Sequence, residues 1–282
     1  MESTMRIGLN TSQHHCSWPW LLEVWTRADQ IDLFESAWTF DHFHSPTEDT
    51  YADCLEGWIS LTALLKATKR LRGGILVSGM LYRHPSVVAN MASSLDIISD
   101  GRFELGLGAG WSEDECSAYG IHLGTMGERF DRFEEGLEVI RLLLTRDKSD
   151  FSGNWYQLKN AMNNPKPLQQ PLPICIGGFG LRRTIPAVAK FATHWNYVHP
   201  EASVDDFKKR RQVLNDACVA IGRSANEILI STRISYNGNI LETVEQIKEY
   251  SEVGVDLGIV NVPKTEPATI VDRLADELSR HI

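Results

Sequence analysis

Eight short apolar runs alternate with eight longer amphipathic segments along this chain, and few architectures accommodate that order. The runs at 5–10, 35–40, 74–79, 103–107, 173–177, 194–198, 228–235 and 257–262 read as strands. The segments near 18–31, 55–68, 85–98, 127–145, 181–191, 203–221, 242–252 and 267–280 read as helices. Ser203 and Thr243 precede acidic first turns, and Pro85 stands where a helix start tolerates it. Such alternation favours parallel strands joined by helical crossovers over hairpins. A closed parallel barrel needs eight strand–helix pairs and typically about 250 residues. The chain offers 282. An open doubly wound sheet is the rival. The expected fold is an α/β (β/α)8 TIM barrel, a single domain over 1–282.

One segment breaks the pattern. Residues 150–173 hold Phe151-Ser152-Gly153, Trp155-Tyr156 and the prolines Pro165, Pro167, Pro171 and Pro173. That proline density excludes a helix, so the segment reads as an insertion with room for a small hairpin. Its role is either a lid or a structural brace.

Ligand chemistry in a parallel barrel collects at the C-terminal ends of the strands. That rule places Asp41, His42, residues 76–79, 108–115 and 177–180, and His199 on one rim. Two glycine sites stand out there. The first, Gly106-Leu107-Gly108-Ala109-Gly110, leads into Trp111 and the acidic run Glu113, Asp114, Glu115. The second, Gly177-Gly178-Phe179-Gly180, opens toward a helix carrying Arg182 and Arg183. Glycines let the backbone approach a ligand closely, and a helix N-terminus with nearby arginines favours an anion. A phosphate at the second site is the reading these residues support best. Neither site has the GxGxxG or GxxxxGK[ST] spacing, which argues against nicotinamide and P-loop folds.

Asp41-His42-Phe43-His44 follows the second strand. An HxH pair can ligate a metal, with further ligands drawn from His199 and Asp256 or Asp272. Alternatively, Asp41 and His42 face a cofactor or substrate, and the imidazole moves a proton. A pair of ordinary loop histidines is the third reading. Arg83 reads as an ion-pair partner more than an anion site. Asp96 and Arg102 flank a turn and read as a salt bridge holding a helix-to-strand connection. Trp18 and Trp111 lie in rim loops where they can line a pocket, while most other tryptophans belong to the core.

The net charge of −9 and pI near 5.5 argue against a nucleic-acid partner. Five scattered cysteines with no CxxC pair suggest reduced thiols rather than a zinc or disulfide framework. With neither an apolar signal core nor a membrane-length apolar run, the expected location is the cytoplasm.

Taken together, these blocks resemble the luciferase-like monooxygenase superfamily, and within it the deazaflavin-dependent oxidoreductases. The likeness runs through residues 38–43, Tyr82-Arg83-His84-Pro85, 96–102, 106–111 with Glu115 and Tyr119-Gly120, 151–153, Pro165-Lys166-Pro167 and 174–180. It implies a barrel that binds coenzyme F420, or alternatively FMN, at the strand C-termini, and it is compatible with a homodimer. Its phosphate would lie on Gly177, Gly178, Phe179 and Gly180, near Arg182 and Arg183. A non-proline cis peptide would fall at Leu76–Val77, beside the ring. Asp41, Gly110, Trp111 and Asp114 would contact the cofactor, His42 would be catalytic, and Trp18 would meet the substrate. No metal is implied. The expected activity is hydride transfer between coenzyme F420 and a small organic substrate. The alternatives are an FMNH2-dependent two-component monooxygenase and a flavin-binding protein without turnover. Sugar-phosphate members carry a Glu directly after the glycine run, where this chain has Trp111, so that substrate class is not expected.

Overall fold

A computed structural model describes residues 5–46, 49–198 and 203–282. Its strands, in chain order, are β1 (Arg6–Asn10), β2 (Phe34–Thr39), β3 (Arg72–Ile75), β4 (Ser78–Gly79), β5 (Phe103–Gly108), β6 (Ser149–Ser152), β7 (Gln157–Ala161), β8 (Ile174–Gly177), β9 (His194–Tyr197), β10 (Leu229–Ile234) and β11 (Leu257–Asn261). The helices are α1 (Trp18–Ala28), α2 (Gly57–Ala67), α3 (Pro85–Ile98), α4 (Glu113–Ala118), α5 (Met126–Thr145), α6 (Thr184–Phe191), α7 (Val204–Ala220), α8 (Ile240–Glu252) and α9 (Ile270–Ser279).

The sheet closes. It runs β3, β2, β1, β11, β10, β9, β8, β5, β4, and β3 also pairs with β5. Every pairing in it is parallel, so all C-termini share one rim. β3 and β4 form one barrel strand, interrupted at Leu76–Val77, where the peptide bond is cis. The result is the expected eight-stranded (β/α)8 barrel. β6 and β7 make an antiparallel hairpin within the insertion.

Strand alternation sorts side chains into two cores. Trp38, Leu76, Cys175, Leu257 and Ile259 pack inside the barrel. Ile7, Leu9, Phe34, Trp195 and Tyr197 face outward and join the larger core beneath the helices. Burying each such side chain contributes about 1.5–3 kcal/mol, which is why the apolar runs settle as strands with both faces covered.

Four local expectations change. α6 starts at Thr184, so a turn separates Gly180 from the helix. α8 starts at Ile240 under an Asn239 cap, which leaves Thr243 inside the helix, its hydroxyl donating to Ser235 O. The acidic run after the first glycine site folds as α4, capped by Ser112. Asp96 and Arg102 form no salt bridge with each other. Arg102 donates to the carbonyls of Leu65 and Thr68 at the end of α2, satisfying groups a helix terminus leaves open, and to Leu71 O just before β3. Asp96 instead accepts from the backbone and side chain of Gln169, anchoring the insertion.

Candidate active site

The end of β2 and the start of α4 meet at one carboxylate. Glu115 is fully buried. Its Oε2 lies 2.8 Å from His42 Nδ1 and accepts from the Tyr82 hydroxyl at 2.5 Å, while Oε1 accepts from Phe43 N–H at 2.5 Å. Burial opposes its ionisation, but the hydrogen bonds from His42, Tyr82 and Phe43 N–H outweigh it and hold the carboxyl below its usual range. An ionised Glu115 keeps a proton on His42 Nδ1, which leaves Nε2 as the ring's acceptor. Nε2 has no partner among the described residues. The ring sits between Phe40, 5.0 Å away, and Trp111, 5.6 Å away and edge-on. Burial, then Glu115, pushes the Tyr82 phenol up, so Tyr82 stays a donor.

Asp41 points the other way along the same rim. It accepts from Ser78 Oγ at 2.5 Å and from both terminal nitrogens of Arg83, at 2.6 and 3.2 Å. Arg83 also bridges to Glu56 at 2.5 Å and lies 5.8 Å from the Trp58 ring centroid. This lattice ties the end of β2, β4, the start of α2 and the turn before α3 together next to His42 in the chain.

Val77 lies on the inner wall. A Cβ on Gly108 would come within 2.7 Å of its Cγ2, and one on Gly177 within 2.9 Å of its Cγ1. Both glycines are therefore needed for Val77 to lie flat across β5 and β8. Beyond Gly177, Gly178 adopts φ +124°, a conformation side-chain-bearing residues avoid. Gly178 O accepts from Trp195 Nε1 at 2.8 Å, which pins the loop. No side chain caps α6, although the chain itself takes one donor of the first turn, Ile185 N–H, which donates to Gly180 O at 3.0 Å.

The other singled-out residues divide. Gly110 turns at φ +85°, and Trp111 stands exposed beside His42. Phe179 projects from the loop with Arg210 stacked over it at 5.1 Å. Arg183 is committed to Asp131 and Glu134 of α5. Arg182 and Asp114 are exposed and unpaired among the described residues. Trp18 opens α1 and packs against the outer core. His199 lies outside the described residues. His44 turns away to its neighbour, Ser45 O. Among the described residues, the one group of three potential metal ligands is Glu104, Cys175 and His194 inside the barrel, not the HxH pair. Glu115 is the residue the motif reading passed over.

His14 completes the rim. It is buried, edge-on to Phe40 at 5.0 Å and within 3.1 Å of Lys264 Nζ. Burial, then the charge of Lys264, lowers its pKa from 6.5 to about 4. The unfolded chain thus binds a proton near pH 6.5 that the folded one refuses until about pH 4. This contribution to stability is complete above pH 6.5 and is lost as pH falls toward 4. Unfolding free energy should drop by about 2–3 kcal/mol over that window. Urea titrations at pH 7 and 5 should show His14→Gln losing that part of the slope. An unchanged slope would remove His14 as its source.

Comparison with known proteins gives three findings. Residues 5–256 match the family model described as luciferase-like monooxygenase. An F420-dependent glucose-6-phosphate dehydrogenase of Amycolatopsis mediterranei is 32% identical over 190 residues, 67% of this chain and 54% of that protein. Two solved structures share the fold. An F420-dependent secondary alcohol dehydrogenase with an F420-acetone adduct has a TM-score of 0.88 at 18% identity, covering 99% of both chains. The oxygenating constituent of a Pseudomonas putida 3,6-diketocamphane monooxygenase, complexed with FMN, has a TM-score of 0.78 at 15% identity, covering 99% of this chain and 98% of that one. Among the described residues, no helix is long and apolar enough to cross a membrane.

Proposed function

The chain belongs to the luciferase-like monooxygenase family, and on that premise we propose that it moves a hydride between coenzyme F420 and a small organic substrate. One observation carries the reading: His42, oriented by a buried carboxylate, stands on the rim beside a Val77 floor made level by glycines. The F420-dependent relative supports the choice of cofactor.

The residues fit such a group. Gly177, Gly178 and the turn leading into α6 would hold its phosphate, and Val77 would support its ring. When bound, the deazaflavin supplies the hydride-carrying carbon. The chain's own part is positioning and proton movement. Glu115 and Tyr82 fix the His42 ring, and Nε2 gives or takes a proton at the substrate's polar atom. Phe40 and Trp111 pack against the imidazole and limit its rotation. Arg83 neutralises Asp41, so the rim keeps its shape without a free charge under the ring.

The test is a titration of wild type and Gly178→Val with F420 and FMN, each oxidised and reduced. Wild type should bind F420 in the micromolar range or tighter, about −8 kcal/mol. The variant places a Cβ 3.3 Å from Thr184 Cγ2 at φ +124°. Its F420 affinity should fall at least about tenfold, or 1.4 kcal/mol, while the strained backbone lowers the urea midpoint without abolishing cooperative unfolding. Tight FMN binding without F420 binding would transfer the reading to an FMNH2-dependent monooxygenase. A folded variant of unchanged affinity would take the phosphate away from this loop.

A further inference from the structure

Resting on the oxidoreductase reading, we propose that Arg233 is the carboxylate-binding group of the substrate site and that the substrate carries a single carboxylate. β10 reads Leu-Ile-Ser-Thr-Arg-Ile, and its register fixes which side chains enter the barrel. Arg233 is paired with Ile259, a member of the inner core, and Ser231 with Leu257, another. Ile234 on the opposite face belongs to the outer core. Arg233 therefore faces the barrel axis, near the C-terminal end of its strand, where ligand chemistry gathers.

Its partners are what set it apart. Among the described residues, the guanidinium makes no hydrogen bond or ion pair, yet it remains open to solvent. Arg146, Arg182 and Arg280 also lack partners but ride exposed loops and helix ends. An inward arginine that keeps its solvent and lacks a counter-charge is open to an anionic ligand. Crowding by the wall alone depresses its pKa, and no carboxylate of the chain acts on it. It stays a cation at neutral pH.

The neighbouring wall adds neutral donors. Asn261 ends β11, one pleat beyond Ile259, and its Oδ1 accepts from Asn10 Nδ2 at 2.8 Å. The Asn261 amide N–H groups then have no partner among the described residues. One guanidinium fork with one amide matches a planar carboxylate, bidentate on the arginine. Lys264, on the loop after β11, is engaged with His14, so a phosphate dianion would find in Arg233 only one uncommitted charge to meet its two. On a chain of net charge −9, an unpaired positive group facing the barrel axis also selects among small anions.

The probes are benzoate and its neutral isostere benzamide, titrated into cofactor-free and F420-loaded protein by calorimetry. Wild type should favour benzoate at least about tenfold, in line with the strength of a charged bidentate pair. Arg233→Gln should erase that preference, and Arg233→Lys should keep part of it, which a simple folding defect would not predict. The F420 affinity of both variants should stay near that of wild type. Equal binding of the two probes, or no benzoate binding by wild type, would overturn the proposal. So would a preference that survives in Arg233→Gln, or an equal loss of F420 affinity, which would make Arg233 a cofactor ligand. Failure of wild type to bind F420 would instead sink the hydride reading. The cofactor-free titration would then still decide Arg233.

Discussion

Replacing His42 with alanine is expected to lower turnover by about 10²- to 10⁴-fold, the span for loss of a general acid–base group. F420 affinity should change far less, because the imidazole touches Glu115, Phe40 and Trp111 rather than the glycine loop. Glu115→Gln should fall between the two enzymes. It keeps an acceptor for Nδ1 but loses the charge that draws three donors onto one carboxylate. The measurement is F420 oxidation or reduction with a substrate in hand, run with and without a chelator. Loss of wild-type activity to the chelator, restored by a divalent ion, would point to a metal enzyme instead. A fully active His42→Ala would make His42 an ordinary loop residue, and Glu115 a brace for α4.

The barrel was legible because its period is coarse. Barrel strands of at least four residues, counting β3 with β4 as one, separated by helices survive errors of one or two residues at each end. The rim followed from the same rule: once all strands run parallel, Asp41, Val77, Gly108 and Gly177 share an end. Tertiary partners were not legible. Nothing local to Arg102 says that it will cap α2 rather than meet Asp96, because the carbonyls it serves lie some thirty residues away. Glu115 did leave a signal. Ser112-Glu113-Asp114-Glu115 is a serine followed three residues later by glutamate, the mark of a helix start. Ser112 Oγ does accept from Glu115 N–H, at 3.4 Å. Reading α4 from that pattern separates the inward Glu115 from the exposed Asp114. Arg233 was equally visible in principle, as a charge at an alternate position of a strand whose every other face is covered.

His194→Ala should destabilise the barrel by about 3–5 kcal/mol, the cost of leaving a buried charge without its partner. His194 Nδ1 bonds the Glu104 carboxylate, and Nε2 lies 2.6 Å from Ser231 Oγ, which also accepts from Asn196 Nδ2 at 2.8 Å. Trp38 closes over the ring edge-on at 5.6 Å. Burial disfavours the Glu104 carboxylate, but the charge and hydrogen bond of His194 reverse that and pull its pKa down. Without His194, Glu104 faces apolar wall and must take up a proton or admit water. Cys175 Sγ stands within 4.8 Å of both ligand atoms, which makes the group look like a metal site. Two facts favour a structural role. Both imidazole nitrogens are already engaged, and burial pushes the Cys175 thiol well above its usual range, away from the thiolate a metal needs. Removing both charges together should therefore cost less than removing one. Glu104→Met with His194→Leu should recover most of the urea midpoint that His194→Ala loses. If the single variant stays within about 1 kcal/mol of wild type, the pair contributes little. If the double variant is worse than either single one, the network is cooperative in a way a simple ion pair is not.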